Sequence, residues 1–208
     1  MSIAVPSTPA ERFAAAIDFA GRFFMADSPV HRALTRICAI LDREEIPYAL
    51  AGAMAMNAHG YERVTKDIDL LMTPEGLAAF KKQNLGLGYL ERFAGSKGFR
   101  DTEQNVPIDV LMSGEYPGDG KPKPVRFPDP SVATRIGEMN VLPIEKLVEL
   151  KLASGLSAEH RGKDLVDVQE LVRYAKLPLE LADSLDASVR DEYRKRWQLA
   201  QASMRDDY

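Results

Sequence analysis

The sequence predicts an α+β fold: short strands and helices interleave up to about residue 143, and helices alone follow. Three observations carry this prediction. Brief apolar runs bounded by glycine, proline or asparagine alternate with segments whose apolar residues recur at helical spacing. Residues 113–130 hold five prolines and three glycines, which makes them a long loop. Beyond Pro143 every segment has a helical pattern. The chain has 208 residues, of which 45% are hydrophobic and 28% charged. That suits one ordinary domain, or a domain with a helical extension, able to bury a core without disulfides or a structural metal.

The elements follow in order. Residues 1–10 contain two prolines and are expected to be a loose arm, and residues 11–25 a short helix. Ser28 is placed to cap the next helix, with Pro29 at its first position. Val30, Ala33, Leu34, Ile37, Cys38 and Leu41 form its apolar stripe, and Pro47 closes the segment. Tyr48–Ala51 is a short buried strand, broken by Gly52, and Ala53–Ala58 is a small helix. Asp67–Met72 is a strand, and Thr73-Pro74 opens a helix to about Asn84. Tyr89–Phe93, Gly98–Thr102 and Val106–Met112 are three further strands, with Val132–Ile136 and Met139–Leu142 after the long loop. Helices are expected over 144–154, 162–176 and 186–203. The domain division is thus an arm at 1–10, a sheet domain at 11–143 and a helical region at 144–208.

Composition narrows the function. Lys and Arg total 27 against 31 Asp and Glu, a net charge of -4, and the two halves of the chain share it evenly. Neither half is a basic nucleic-acid module of the usual kind. A single cysteine, Cys38, excludes an internal disulfide and a cysteine-type zinc site, and fits a reducing cytoplasmic setting. No apolar run reaches the length of a membrane helix, and no signal-peptide pattern opens the sequence.

The chemistry is concentrated in Leu50 to Met72, LAGAMAMNAHGYERVTKDIDLLM. Gly52-Ala53 stands at a strand-to-helix turn, where Gly52 permits close approach of a phosphate to the backbone and free N–H groups favour an anion. Thirteen residues later comes Asp67-Ile68-Asp69. Side chains alternate along a strand, so the two carboxylates share a face about 7 Å apart. Such a pair resists burial unless a divalent cation joins it, and hard oxygen ligands suit magnesium or manganese. Asp109 is the lone acid of an apolar strand. If that strand neighbours the first, three carboxylates meet on one face, a cluster suited to in-line attack at phosphorus.

This order and spacing resembles the DNA polymerase β-like nucleotidyltransferase superfamily. The longer stretch is similar to the small prokaryotic nucleotidyltransferases related to abortive-infection toxins of type IV toxin–antitoxin systems. Matching residues are His59, Gly60, Arg63, Thr65, Asp67 and Asp69, with Lys151-Leu152 and Arg161-x-Lys163-Asp164-x-x-Asp167-Val168 downstream. The resemblance covers about residues 30–175. It implies a mixed sheet flanked by helices, with a helical region closing the cleft. It further implies transfer of a nucleoside monophosphate from an NTP to an acceptor hydroxyl, on RNA such as tRNA, on protein or on a small molecule, and the toxin-related group implies a cognate antitoxin-like partner. By the same resemblance Asp67 and Asp69 bind magnesium, Asp109 binds the catalytic metal and helps deprotonate the acceptor, and Gly52 and Ala53 contact the β- and γ-phosphates. Many active members carry serine where this chain has Ala53.

Other residues have bland readings beside functional ones. Lys151 is either a phosphate contact or a surface lysine. Arg63 and Lys66 either meet phosphate or balance the aspartates. Asp164 and Asp167 share a helix face, as a candidate base or as ordinary helix acids. His59 reads best as a helix-capping or packing residue. Lys121, Lys123 and Arg126 read best as solvated loop charges, and Trp197 as part of a packing helix. Ala53 keeps a second reading open, a nucleotide-sensing or partner-binding module on the same fold. A third is a glycosyltransferase whose Asp-x-Asp holds a sugar nucleotide.

Overall fold

A computed structural model describes residues 8–206. Helix α1 (Pro9–Phe24) begins within the expected arm, so residues 9 and 10 are helical; the rest of the arm, residues 1–7, lies outside the described residues. Helix α2 (Pro29–Arg43) starts where capping chemistry places it, with the Ser28 hydroxyl accepting from the His31 N–H. Its buried residues are Val30, Ala33, Leu34, Ile37, Cys38 and Leu41, the stripe read from the sequence. The helix stops four residues before Pro47, with Glu45 turning the chain at a φ of 54°.

Strand β1 (Tyr48–Leu50) leads directly into α3 (Gly52–Ala58). Strand β2 (Ile68–Met72) is followed by α4 (Pro74–Asn84), capped by Thr73, whose hydroxyl accepts from Gly76 N at 3.0 Å. Strands β3 (Tyr89–Glu91), β4 (Phe99–Asp101) and β5 (Val106–Met112) form a meander. The long loop is present, and its end is a 3-10 turn at Pro130–Val132, which shortens the next strand to β6 (Thr134–Ile136). After β7 (Met139–Val141) come α5 (Ile144–Gly155), α6 (Gly162–Tyr174) and α7 (Arg190–Asp206). The last helix starts later than expected. A 3-10 segment at Leu179–Ser184 precedes it, and neither proline nor glycine marks that segment's end.

The seven strands form one mixed sheet in the order β3-β4-β5-β2-β1-β7-β6. Pairs β2/β5 and β1/β7 are parallel and the other four are antiparallel. This is the α+β, nucleotidyltransferase-like architecture expected, with a C-terminal helical region. Along β5, Val106, Ile108, Val110 and Met112 are buried while Pro107, Asp109 and Leu111 face the other way at intermediate exposure. One apolar cluster runs from Phe23 to Ala200, taking in both the sheet and the C-terminal helices. Helix α7 is tied down by packing-edge hydrogen bonds from the Tyr193 hydroxyl to Pro178 O (2.8 Å) and from Trp197 Nε1 to Leu177 O (3.0 Å). Among the described residues no helix is long and apolar enough to cross a membrane.

Candidate active site

The site grows from the parallel pairing of β2 with β5. Their register sets Asp69 opposite Asp109, so both carboxylates leave one face of the sheet on adjacent strands. Asp67 falls one residue ahead of β2 rather than on it. Its place is fixed instead by Thr65, whose hydroxyl donates to Asp67 Oδ1. Thr65, one of the residues that match the family pattern, thus acts on the carboxylate.

Gly52 lies against Asp69. Its φ is 56°, in the left-handed region, and a Cβ placed on it would lie 1.8 Å from Asp69 Oδ2. The sequence motif has therefore a second physical basis. The Asp69 carboxylate occupies the place a side chain at Gly52 would take. Ala53 is buried and away from the cleft wall. His59 caps α3 and its Nε2–H donates to Leu142 O at 2.8 Å, which joins α3 to the start of the helical region.

The Asp69 carboxyl is pushed up to about 6, first by desolvation and then by the Asp67 and Asp109 charges, against the opposing pull of Lys151 and Arg63. Such a cluster carries more negative charge than its neighbours balance. Its donor set, three carboxylates, fits magnesium or manganese. The side chains are nonetheless engaged elsewhere. Arg92, between β3 and β4, donates to Asp109 Oδ1, and Asp67 is held by Thr65. Among the described residues no three carboxylate, imidazole or thiolate groups converge closely enough to hold an ion as they stand. Of the three carboxylates expected to meet, the strand register brings Asp69 and Asp109 together, and Asp67 stands just ahead of it.

A cleft of about 450 Å³ opens beside this cluster, bounded by the sheet, the long loop and α5. Of the residues singled out in the sequence, Gly52, Asp69, Lys151, Arg161 and Asp164 line it; Ala53, Arg63, Thr65, Lys66, Asp67, Asp109 and Asp167 do not. Lys66 is exposed. Lys151 is buried, and its ammonium is held by Asp167 Oδ2 at 2.7 Å and Asp164 Oδ1 at 3.1 Å. Arg63 donates to the same Asp167 oxygen at 2.8 Å. Ser154 donates to Asp164 Oδ2 at 2.6 Å. Asp164 and Asp167 do share the inner side of α6, and there they clamp α5 and the segment before β2 to it. Lys123 folds back onto Pro117 O and Asp119 within its own loop, and Arg126 covers the ring of Tyr116.

Sequence reasoning passed over Arg92, Arg161, Ser154 and the loop residues Glu115 to Gly120 as parts of the site. Only Arg161 carried a signal, its place in the downstream motif. Ser154 follows Lys151 by three residues on α5, and the others reach the site through loop and hairpin geometry that no periodicity announces.

No protein-family model matches the chain, and no curated protein matches its sequence. Among solved structures the chain is similar to ANT(2")-Ia, crystallised in complex with adenylyl-2"-tobramycin, with a TM-score of 0.51 and 14% identity over 80% of this chain and 97% of that one. A solution structure of ANT(2'')-Ia matches with a TM-score of 0.46 and 13% identity over 84% and 94% of the two chains. The likeness to the crystal structure is one of fold.

Proposed function

We propose that the protein is a divalent-cation-dependent nucleotidyltransferase, moving a nucleoside monophosphate from an NTP to an acceptor hydroxyl. One observation carries this reading: the β2/β5 register puts Asp69 beside Asp109, with Asp67 two residues before, at a cleft of nucleotide size. The shared fold supports it. So does the ordered set Gly52-Ala53, Asp67-x-Asp69 and Asp109.

Asp67, Asp69 and Asp109 would hold a magnesium or manganese ion. When bound, the ion supplies Lewis-acid stabilisation of the phosphates and of the leaving pyrophosphate. The chain's own residues do the rest. Gly52 gives the Asp69 carboxylate its seat, and Thr65 orients Asp67. Lys151 and Arg161 bring positive charge to the cleft that takes the triphosphate. Asp109, partly exposed, accepts the proton of the acceptor hydroxyl as that oxygen attacks the α-phosphorus. The bond from the α-phosphorus to the bridging oxygen then breaks, and pyrophosphate leaves with its electron pair.

Each α-labelled NTP, incubated with magnesium and in turn with total tRNA, with the protein alone and with tobramycin, tests this. Label should pass to one acceptor and be lost in Asp67→Ala/Asp69→Ala protein. Label on RNA or protein supports the toxin-related resemblance of the sequence. Label on tobramycin supports an activity like that implied by the compound bound to ANT(2")-Ia. The absence of label from every acceptor, together with no magnesium-dependent NTP binding, would overturn the reading. Binding without transfer would favour a nucleotide-sensing module. Two observations favour that second reading: Arg92 engages Asp109, and Ala53 is buried away from the cleft.

A further inference from the structure

The cleft walls are of two chemical kinds, and the catalytic reading uses only one. Asp69, Glu115, Asp119, Lys151, Arg161 and Asp164 are charged. Facing the same space are Tyr116 and Phe127 of the long loop, with Leu142 and Leu147 at the start of the helical region. Leu147 and Lys151 are one turn apart on α5, so about 6 Å along the helix axis separates apolar wall from charged wall. A nucleotide has this same division, with a ribose between a flat aromatic base and its phosphates.

The aromatic wall is braced rather than draped. The loop is closed at its base by Gly114 N to Phe127 O (2.9 Å) and Phe127 N to Glu115 O (2.8 Å). Its tip is fastened to the helical region by Asp119 N to Ser157 Oγ at 3.2 Å. Gly118 fits there because it has no side chain: a Cβ would lie 2.1 Å from Ser157 Oγ. Lys123 Nζ spans the loop to Pro117 O at 2.7 Å. Tyr116 is half-buried, and the Arg126 guanidinium sits 4.7 Å over its ring. Arg126 is exposed and does not line the cleft. A ring held in this way costs little to order when a ligand stacks on it.

We propose that Tyr116 and Phe127 form the nucleobase platform of this site, holding the base of the NTP by stacking while the phosphates lie toward Lys151 and Asp69. The proposal rests on the nucleotidyl-transfer reading and deepens it. A cavity of about 450 Å³ accommodates one nucleotide, and Asp109 lies outside its wall.

Calorimetric titration with magnesium–ATP and with magnesium–tripolyphosphate separates the two walls. Wild-type protein should bind both. Tyr116→Ala and Phe127→Ala should each weaken ATP about tenfold, the scale of one lost base–aromatic stack. Both variants should hold tripolyphosphate as the wild type does, and Tyr116→Phe should retain ATP affinity. Unchanged ATP binding in both alanine variants would overturn the platform and leave nucleotidyl transfer standing; a raised KM for the acceptor alone would then assign the rings to the acceptor. Equal weakening of ATP and tripolyphosphate in variants with a native circular-dichroism spectrum would also overturn it, making the rings props for the loop. A wild-type protein that binds neither ligand would sink the platform and the nucleotide site together.

Discussion

Gly52 carries two constraints at one position, a left-handed backbone and direct contact with the Asp69 carboxylate. Gly52→Ala should therefore cost about 1–3 kcal/mol for the backbone alone, and more for the displaced carboxylate. In urea titrations, Gly52→Ala/Asp69→Ala should be less destabilised than the sum of the single variants, because removing the carboxylate relieves the collision but not the φ strain. Arg92 gives a second residue-level prediction. The Arg92–Asp109 pair is half-exposed on both sides, so breaking it should cost at most about 1 kcal/mol. Arg92→Ala should leave the melting temperature nearly unchanged while tightening manganese binding, read from free manganese by electron paramagnetic resonance, because Asp109 loses a competing cation. At this scale the sequence offered candidate residues, and their contacts lay beyond it. Asp-x-Asp and Gly-Ala are local in the chain. Thr65 on Asp67 is also local, yet a threonine two residues before an aspartate has several possible partners. Arg92 on Asp109 depends on how a hairpin folds back over β5, which spacing does not encode.

The elements most dependent on one another are α5, α6 and the segment leading into β2. Lys151 from α5 sits between Asp164 and Asp167 of α6, and Arg63 reaches Asp167 from the other side. Removing the lysine strands two carboxylates, one of them 4% exposed. Lys151→Met should destabilise by about 3 kcal/mol in chemical denaturation, toward the lower end for a broken buried pair because Arg63 remains. Lys151→Met combined with Asp167→Leu should recover part of that loss. The helices themselves were legible because capping and apolar stripes are short-range: Ser28 and Thr73 cap α2 and α4, and Ile144–Gly155 matches its expected span to within a residue. Strand ends were less so. Val132 and Ala133 have β-compatible side chains, but Pro130 and the Asp129 cap, whose carboxylate accepts from Ser131 N at 2.8 Å, draw Pro130–Val132 into a 3-10 turn. The strand order was beyond the sequence, since only long-range pairing decides that β5 lies beside β2.

At the scale of the whole molecule, the carboxylate cluster sets a pH dependence. The Asp69 carboxyl titrates at about 6 in the fold, above the ordinary 3.8. The folded protein thus binds a proton more tightly than the unfolded chain, and stability falls as pH rises through the window from about 4 to about 6. The loss is on the order of 2–3 kcal/mol. Metal-free protein should show a falling melting temperature across that window, Asp69→Asn should flatten it, and magnesium should restore stability above pH 6 by favouring the ionised carboxylates. The loop that carries Tyr116 and Phe127 has a different consequence. Its two ends are stitched together by a pair of backbone hydrogen bonds, and of the residues between them Val125 is the apolar side chain that the core takes in. A short turn joining Glu115 to Phe127 would leave β5 and the acid cluster in register, and a foreign segment of other length would cost little extra closure entropy. The loop is in this sense an exchangeable cassette. Under the proposed function, recombination at that stitch would exchange one wall of the cleft and keep the strand register that sets Asp69 beside Asp109.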